Sequence, residues 1–414
     1  MSDITPPATK AQQIAGERRL RQLLFGLDLL AFLVIGAVAF CIWRFWPRGH
    51  DVYSDLQQGA SETYLFIWMG IALVGGLFAL SRRTRVISFV LSFLLLTECL
   101  AQLYVIATMH RPYHPSARAI LDRFEPHPLF GAIPHQGVFG GLSHDAMHRR
   151  TTINEGKNTD AKPIYVFGGS MTYDVGVVDS RTWASDLSRL LGPGYTVENY
   201  GVPAYTSMES MIQSLFAFRE IRPVCAIYYE GSNDLRLAHT ANLPNDYGSH
   251  GTEVKDILDA SYRPSDLANY WLAFQLIDRF LQHRPEPPGA RGRVSDEKDM
   301  KLSQIYAENM KLVADINHHF GVTPIFVPQV VNYDYMEAHW GGWLPMSATA
   351  VRPRMAEMND VLKQAAQESG AIFLDAPLKA SWQNGDFADE AHFSAPGAEK
   401  FAQSLAPVIA ASCK

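Results

Sequence analysis

Residues 162–172 read KPIYVFGGSMT, and the rest of the chain is best read outward from them. Ile164, Tyr165, Val166 and Phe167 make a short β-branched and aromatic run, the pattern of a buried strand. Gly168 and Gly169 end the run and let the backbone turn sharply. Ser170 comes directly after them. A serine on such a turn stands past the end of a strand, where open α/β sheets place their sites. Taken alone, the stretch is equally an ordinary turn in which Ser170 caps the next helix. The downstream chain decides between the two.

Beyond Ser170 the apolar pattern alternates between strand and helix periods. Strands are predicted at 164–167, 196–200, 224–229, 324–327 and 371–374. Helices are predicted at 182–191, 206–219, 301–320, 352–369 and 396–411. This alternation builds a parallel sheet with helices on both faces. Polar residues then fall just past strand ends: Gly201 after ENY, Gly231 and Asn233 after IYYE, and the 329–343 loop after IFVP. Far along the chain, ADEAHFSAPGAEKFA places Asp389 three residues before His392, just ahead of a predicted helix. A serine becomes a nucleophile when a neutral imidazole takes its proton, and a carboxylate must fix that imidazole's tautomer. An Asp and a His on one turn supply such a pair. On that stretch alone they are equally an exposed pair at a helix start.

The pieces together resemble the SGNH, or GDSL-like, hydrolase family. GGSMTY matches the first motif with Ser170 as nucleophile, and NYGVPAYTS matches the second at Gly201. Gly231-Ser232-Asn233-Asp234 matches G-x-N-D, and Asp389-Glu390-Ala391-His392 matches D-x-x-H. The resemblance covers residues 162–408. It implies a three-layer α/β/α, flavodoxin-like domain that hydrolyses esters with no cofactor and no metal. His392 would be the general base and Asp389 its orienter. The oxyanion hole would combine the backbone N–H groups of Ser170 and Gly201 with the Asn233 side-chain amide. One departure stands out: Gly169 occupies the place of the Asp in the family name.

Composition bounds the remainder. The net charge is −6 with no large basic block, which excludes nucleic acid as a partner. Cys41, Cys99, Cys225 and Cys413 show neither metal spacing nor a disulfide framework, so topology has to assign the compartment. His127, His135, His144 and His148 lack ligand spacing to a carboxylate or thiol and read as hydrogen-bonded or surface residues.

The first 109 residues read as a membrane anchor, with long apolar runs at about 23–43, 63–80 and 86–109. Arg82, Arg83 and Arg85 put the second loop in the cytoplasm, as does the basic amino-terminal tail. Three spans then deliver the rest outside, making this a multi-pass inner-membrane protein with a periplasmic hydrolase domain. Two carboxylates, Asp28 and Glu98, fall inside the runs. Asp28 is close enough to an end to reach the interface. Glu98 is near mid-span, as a helix–helix contact or a contact to a membrane partner.

Residues 110–161 read as an irregular connector packed on the catalytic domain, which runs over 162–414 with an insertion at 235–300. In the insertion a helix is predicted at 267–283, packed on the domain or the membrane surface, or serving as a lid. Tyr333, Tyr335, Trp340 and Trp343 come after the fourth strand; Tyr333, Trp340 and Trp343 are the candidate substrate-binding residues, suited to sugar rings or to core contacts. The sequence therefore reads as a tethered serine esterase acting on acyl, most simply O-acetyl, groups of envelope polysaccharide or glycolipid. The rivals are a lipid esterase, an acyltransferase using the same acyl-enzyme, and a non-catalytic scaffold among other membrane proteins of a polysaccharide pathway.

Overall fold

The computed structural model describes residues 66–78, 81, 83–109, 123–139, 141–248, 271–281, 294–340 and 342–414, with isolated positions between 15 and 26. The chain divides into two compact units. Of the described elements, the first unit holds the helices Phe66–Phe78, Arg85–Met109 and Leu272–Leu281. The second holds the remaining elements from residue 123 onward.

In the second unit nine strands are described: β1 (Phe124–His127), β2 (Gly131–Pro134), β3 (Gly137–Phe139), β4 (Leu142–His144), β5 (Lys162–Gly168), β6 (Tyr195–Asn199), β7 (Cys225–Tyr229), β8 (Thr323–Phe326) and β9 (Ile372–Phe373). The last five form one parallel sheet in the order β6-β5-β7-β8-β9. This order reverses direction at β5, because the chain steps from β5 out to the edge and returns to β7 on the other side. The crevice beyond the carboxyl ends of such neighbours is where doubly wound sheets hold their ligands.

Both faces of the sheet are covered, and strict alternation along the strands decides which side chain goes where. Ile164, Val166, Cys225, Ile227 and Tyr229 face one layer, with Trp183 and Phe401. Tyr165, Phe167, Ala226 and Tyr228 face the other, with Phe218, Met310 and Met355. Helices Trp183–Leu191 and Ala395–Ser412 build the first layer; Ser207–Glu220, Met300–Phe320 and Ala348–Ser369 build the second.

Two expectations need revision, and a third is met in part among the described residues. Residues 124–144 are not irregular but form two antiparallel hairpins, β1–β2 and β3–β4. The chain after them lies along the open edge of β6: Arg150 bridges Asn199, while Asn154 donates to the Val197 carbonyl at 2.9 Å and accepts from its N–H at 3.0 Å. The cysteines do contain a bonded pair. Cys225 in the central strand and Cys413 after the last helix form a disulfide with Cα atoms 5.5 Å apart, across 188 residues of chain. No spacing motif marks such a pair; packing of the last helix on the sheet brings it together. Of the three predicted spans, one described helix is long and apolar enough to cross a membrane, Val86–Val105 with mean hydropathy 2.0. Phe66–Phe78 is shorter than the roughly 20 residues a bilayer requires. The 23–43 run and Asp28 lie outside the described residues. Glu98 accepts the backbone N–H groups of Leu272 and Ala273, each at 2.9 Å.

Closing so long a loop restricts the unfolded chain, worth about 2–4 kcal/mol. Replacing Cys225 and Cys413 together by Ala is expected to lower the melting temperature by roughly 5–15 °C. The non-reduced wild type should lack two thiol protons by intact mass. An unchanged melt would show that the bond contributes nothing.

Candidate active site

β5 runs to Gly168, and Ser170 opens a four-residue helix, Ser170–Tyr173, just beyond the strand's carboxyl end. Three contacts hold this helix. Thr172 Oγ1 donates to the Phe167 carbonyl at 3.3 Å, Trp183 Nε1 to the Met171 carbonyl at 3.0 Å, and Asn199 Nδ2 to the Thr172 carbonyl at 2.8 Å. The Ser170 turn is thereby tied to β5, to the first helical layer and to the end of β6.

Opposite it stands the turn 387–393, closed by a bridge between Phe387 and Phe393 and by the Ala388 N–H donating to the His392 carbonyl. Phe393 is fully buried and stacks on Trp382 and on Tyr229 of β7, and the second contact fixes the turn to the sheet. His392 Nε2 lies 2.8 Å from Ser170 Oγ, and His392 Nδ1 lies 2.7 Å from Asp389 Oδ2. The other Asp389 oxygen accepts the N–H groups of Ala391 and His392, both at 2.8 Å. Spacing of three residues is what allows one carboxylate to hold both the ring and the backbone of the same turn. The Asn332 N–H donates to the Glu390 carbonyl, joining the turn to the chain after β8.

The electrostatics stem from this arrangement. Burial works against the charged form of both partners, yet each ends on the side its neighbour favours. The Asp389 carboxyl sits below its ordinary value because His392 and two N–H donors outweigh desolvation. The His392 imidazole is raised, since Asp389, with Glu390 and Asp174 adding, outweighs burial. Asp174 is a member of this set that the sequence did not reveal. It ends the Ser170–Tyr173 helix, is 1% exposed, and accepts the Trp183 N–H at 2.7 Å. Burial pushes its carboxyl up to about 7.

Asn233 lies in the short helix Ser232–Leu235 after β7, and its Nδ2 donates to the Tyr205 carbonyl at 2.8 Å. Asp234 beside it accepts from Ser207 Oγ at 2.5 Å and from Ser207 N–H at 3.2 Å, so this turn is pinned to the start of helix Ser207–Glu220. The departure at Gly169 now has a physical reason. A Cβ there would lie 2.3 Å from Asn233 Nδ2 and 3.1 Å from the Tyr205 carbonyl oxygen. Glycine at 169 leaves the amide room beside Ser170.

Gly201 is placed otherwise than expected. Its N–H donates to Asn199 Oδ1 at 2.8 Å, so an internal acceptor already takes the proton assigned to an oxyanion. A Cβ on it would lie 2.4 Å from the Tyr173 nitrogen. Gly201 therefore serves close packing of the loop on the nucleophile helix. The strained residue of the same loop is Ala204, with φ +72°, next to the carbonyl that holds Asn233.

Tyr333, Trp340 and Trp343 are half-buried and pack against the second-face core. The Arg352 guanidinium lies 4.3 Å from the Tyr333 ring centre. The connector histidines are engaged: His144 bonds Tyr173 Oη at 2.6 Å and the His135 carbonyl at 2.8 Å, and burial pushes its ring down to about 4. Among the described residues no cluster of His, Cys, Asp and Glu is arranged to hold a metal.

The clash at 169 falls on the movable end of a side chain, so the fold should tolerate it. Gly169→Ala is expected to melt within a few degrees of wild type yet to turn over an aryl acetate about 10²–10³ more slowly, as for loss of an oxyanion donor. Full activity would show that Asn233 can act from another position.

Residues 166–400, more than half of the chain, match the GDSL-like Lipase/Acylhydrolase family. No curated protein matches. Among solved structures the chain is similar to a putative lipolytic protein of the G-D-S-L family from Desulfitobacterium hafniense DCB-2, at 12% identity over 60% of this chain and 99% of that one, TM-score 0.36. It is similar to a putative acylhydrolase from Bacteroides fragilis NCTC 9343, at 13% identity over 63% and 92%, TM-score 0.38. A catalytic mutant of an acetylxylan esterase from Geobacillus stearothermophilus matches at 14% identity over 62% and 96%, TM-score 0.35. The chain belongs to the GDSL-like lipase/acylhydrolase family and is an ester hydrolase of that type.

Proposed function

We propose that this hydrolase is a membrane-anchored serine esterase that removes O-acetyl groups from envelope polysaccharide or glycolipid outside the cytoplasm. The observation that carries the reading is the unbroken hydrogen-bonded line from Ser170 Oγ through His392 to Asp389. In it Ser170 Oγ attacks the ester carbonyl while its proton passes to His392 Nε2, and Asp389 stabilises the imidazolium that forms. The oxyanion is held by the Ser170 N–H and the Asn233 amide. Collapse expels the sugar alcohol, which takes the proton from His392. Water then attacks the acyl-enzyme by the same route in reverse and releases acetate. No step requires a cofactor.

Three features support the location and substrate. Only 28% of the apolar stretch Val86–Val105 is buried, whereas a core helix of a soluble protein would be mostly covered. A disulfide between Cys225 and Cys413 suits an oxidising compartment. The chain bonded to the 387–393 turn at Asn332 leads into the half-buried Tyr333, Trp340 and Trp343, the proposed platform for sugar rings.

The purified full-length protein should react with a fluorophosphonate probe and release acetate from a short aryl acetate in buffer alone. Ser170→Ala should remove both while leaving the melt unchanged; labelling that persists would sink the assignment of the nucleophile. Adding oligosaccharide should change the rate little. Acceleration accompanied by sugar acylation would make the enzyme a transferase instead.

The pH dependence carries a sign. His392 must be neutral to act as base, and its folded pKa is raised, so activity is lost as pH falls through a value above the ordinary ~6.5. Asp389→Asn should move that acid limb of kcat/KM downward and lower the plateau by orders of magnitude. A limb left in place would remove Asp389 from the relay.

A further inference from the structure

The insertion in the hydrolase chain contributes an element to the other unit. Helix Leu272–Leu281 belongs with Phe66–Phe78 and Arg85–Met109, not with the sheet. Its start is seated on Glu98, which accepts the Leu272 and Ala273 N–H groups at 2.9 Å each, and Glu98 is 3% exposed. A helix start leaves four N–H groups without intrahelical partners, and its dipole favours a negative group there. Glu98 supplies both an acceptor and that charge from another helix.

The depth of this contact is what makes it informative. Glu98 lies within the Val86–Val105 span, about 18 Å along it from Val86 and about 10 Å from Val105 at 1.5 Å per residue. In a bilayer that is hydrocarbon, where an unmet N–H costs several kcal/mol and an unpaired carboxylate is expensive too. Each group cancels the other's deficit.

Direction agrees with depth. Trp271, just ahead of the helix, packs on both the Trp68–Ala72–Leu95 cluster and the cluster of Ala101 and Val105, whereas Leu272, Ala273 and Leu276 after it join only the second. The segment therefore advances from the level of Leu95 toward that of Val105, the direction of the span. From Leu272 to Leu281 the chain rises about 14 Å, close to the about 16 Å from Glu98 to Met109. Phe274 and Ile277 are 44% and 53% exposed, continuing the bare apolar surface of Leu96, Leu100 and Leu103.

We propose that residues 271–281 are a re-entrant membrane helix, begun inside the bilayer on a cap formed by Glu98 and bathed by lipid acyl chains at Phe274 and Ile277. The inference rests on the membrane-anchored reading and adds a membrane-embedded element drawn from the hydrolase's own insertion. A carboxylate in the middle of a span, otherwise an anomaly, becomes the reason a helix starts there.

The test uses the full-length protein in vesicles of ordinary or chain-brominated phosphatidylcholine, with Cys41 and Cys99 replaced by Ser and the disulfide kept. A bimane fluorophore is placed at Leu96→Cys or at Ile277→Cys. Bromine quenches it only from within the hydrocarbon. Both positions should be quenched. Glu98→Ala should cut quenching at 277 by at least half while leaving 96 quenched, and Glu98→Gln, which keeps an acceptor, should retain most of it. Aryl acetate hydrolysis within twofold of wild type verifies that the variants are folded. Quenching at 96 but not at 277 would overturn the re-entrant helix and leave the anchor standing. Quenching at neither would overturn the anchor itself. Equal quenching at 277 in wild type and Glu98→Ala would overturn the cap.

Discussion

A serine hydroxyl and an imidazole separated by 222 residues of chain are held 2.8 Å apart, and almost everything in the hydrolase unit bears on that distance. One side of it is fixed by β5, which is hydrogen-bonded on both sides, to β6 and to β7. The other is fixed by Phe393, buried among Trp382, Phe387 and Phe401 immediately after His392. Asp389 adds orientation at small cost, because its backbone is already part of the same turn. The non-local part of the geometry is thus left to hydrophobic packing and the local part to hydrogen bonds, which suits the reach of each.

Charge is distributed around the site with similar economy. Asp389, partly exposed, is stabilised as an anion by His392 and two N–H donors, while Asp174, more deeply buried and without a cation at hydrogen-bonding distance, is pushed up to about 7. On the other face, Glu230 and Asp234 lie buried below the Asn233 turn, both raised by desolvation. Their hydrogen bonds to Ser210 and Ser207 tie the turn to helix Ser207–Glu220. These carboxyls act as fasteners and take no part in proton transfer to the ester.

What could be read from the sequence was whatever depended on local period or short spacing. The five core strands, the Ser170 turn and the Asp389–His392 pair are all of that kind. What could not be read depended on where distant backbones meet. The family resemblance implied a donor at Gly201; the structure brings two backbones together there, and Asn199 accepts its N–H. Asp174 and the cysteine pair carry no spacing signal at all. The hairpins of residues 124–144 were hidden by a Pro- and Gly-rich composition that suits tight turns as well as irregular chain. Glu98 was visible as an oddity, but its partner lay 174 residues away.

The chain laid along β6 has a further consequence, for how these molecules keep apart. An open strand edge is a template on which another chain can add, and confinement to a surface raises the encounter rate of neighbouring copies. Here the amide of Asn154 imitates a strand, occupying the Val197 N–H and carbonyl that a neighbour would need, and Arg150 covers Asn199. At the opposite edge β9 is two residues long, too short to seed pairing. The described sheet is thus covered by its own chain at β6 and cut short at β9, which leaves another copy little backbone seam to share.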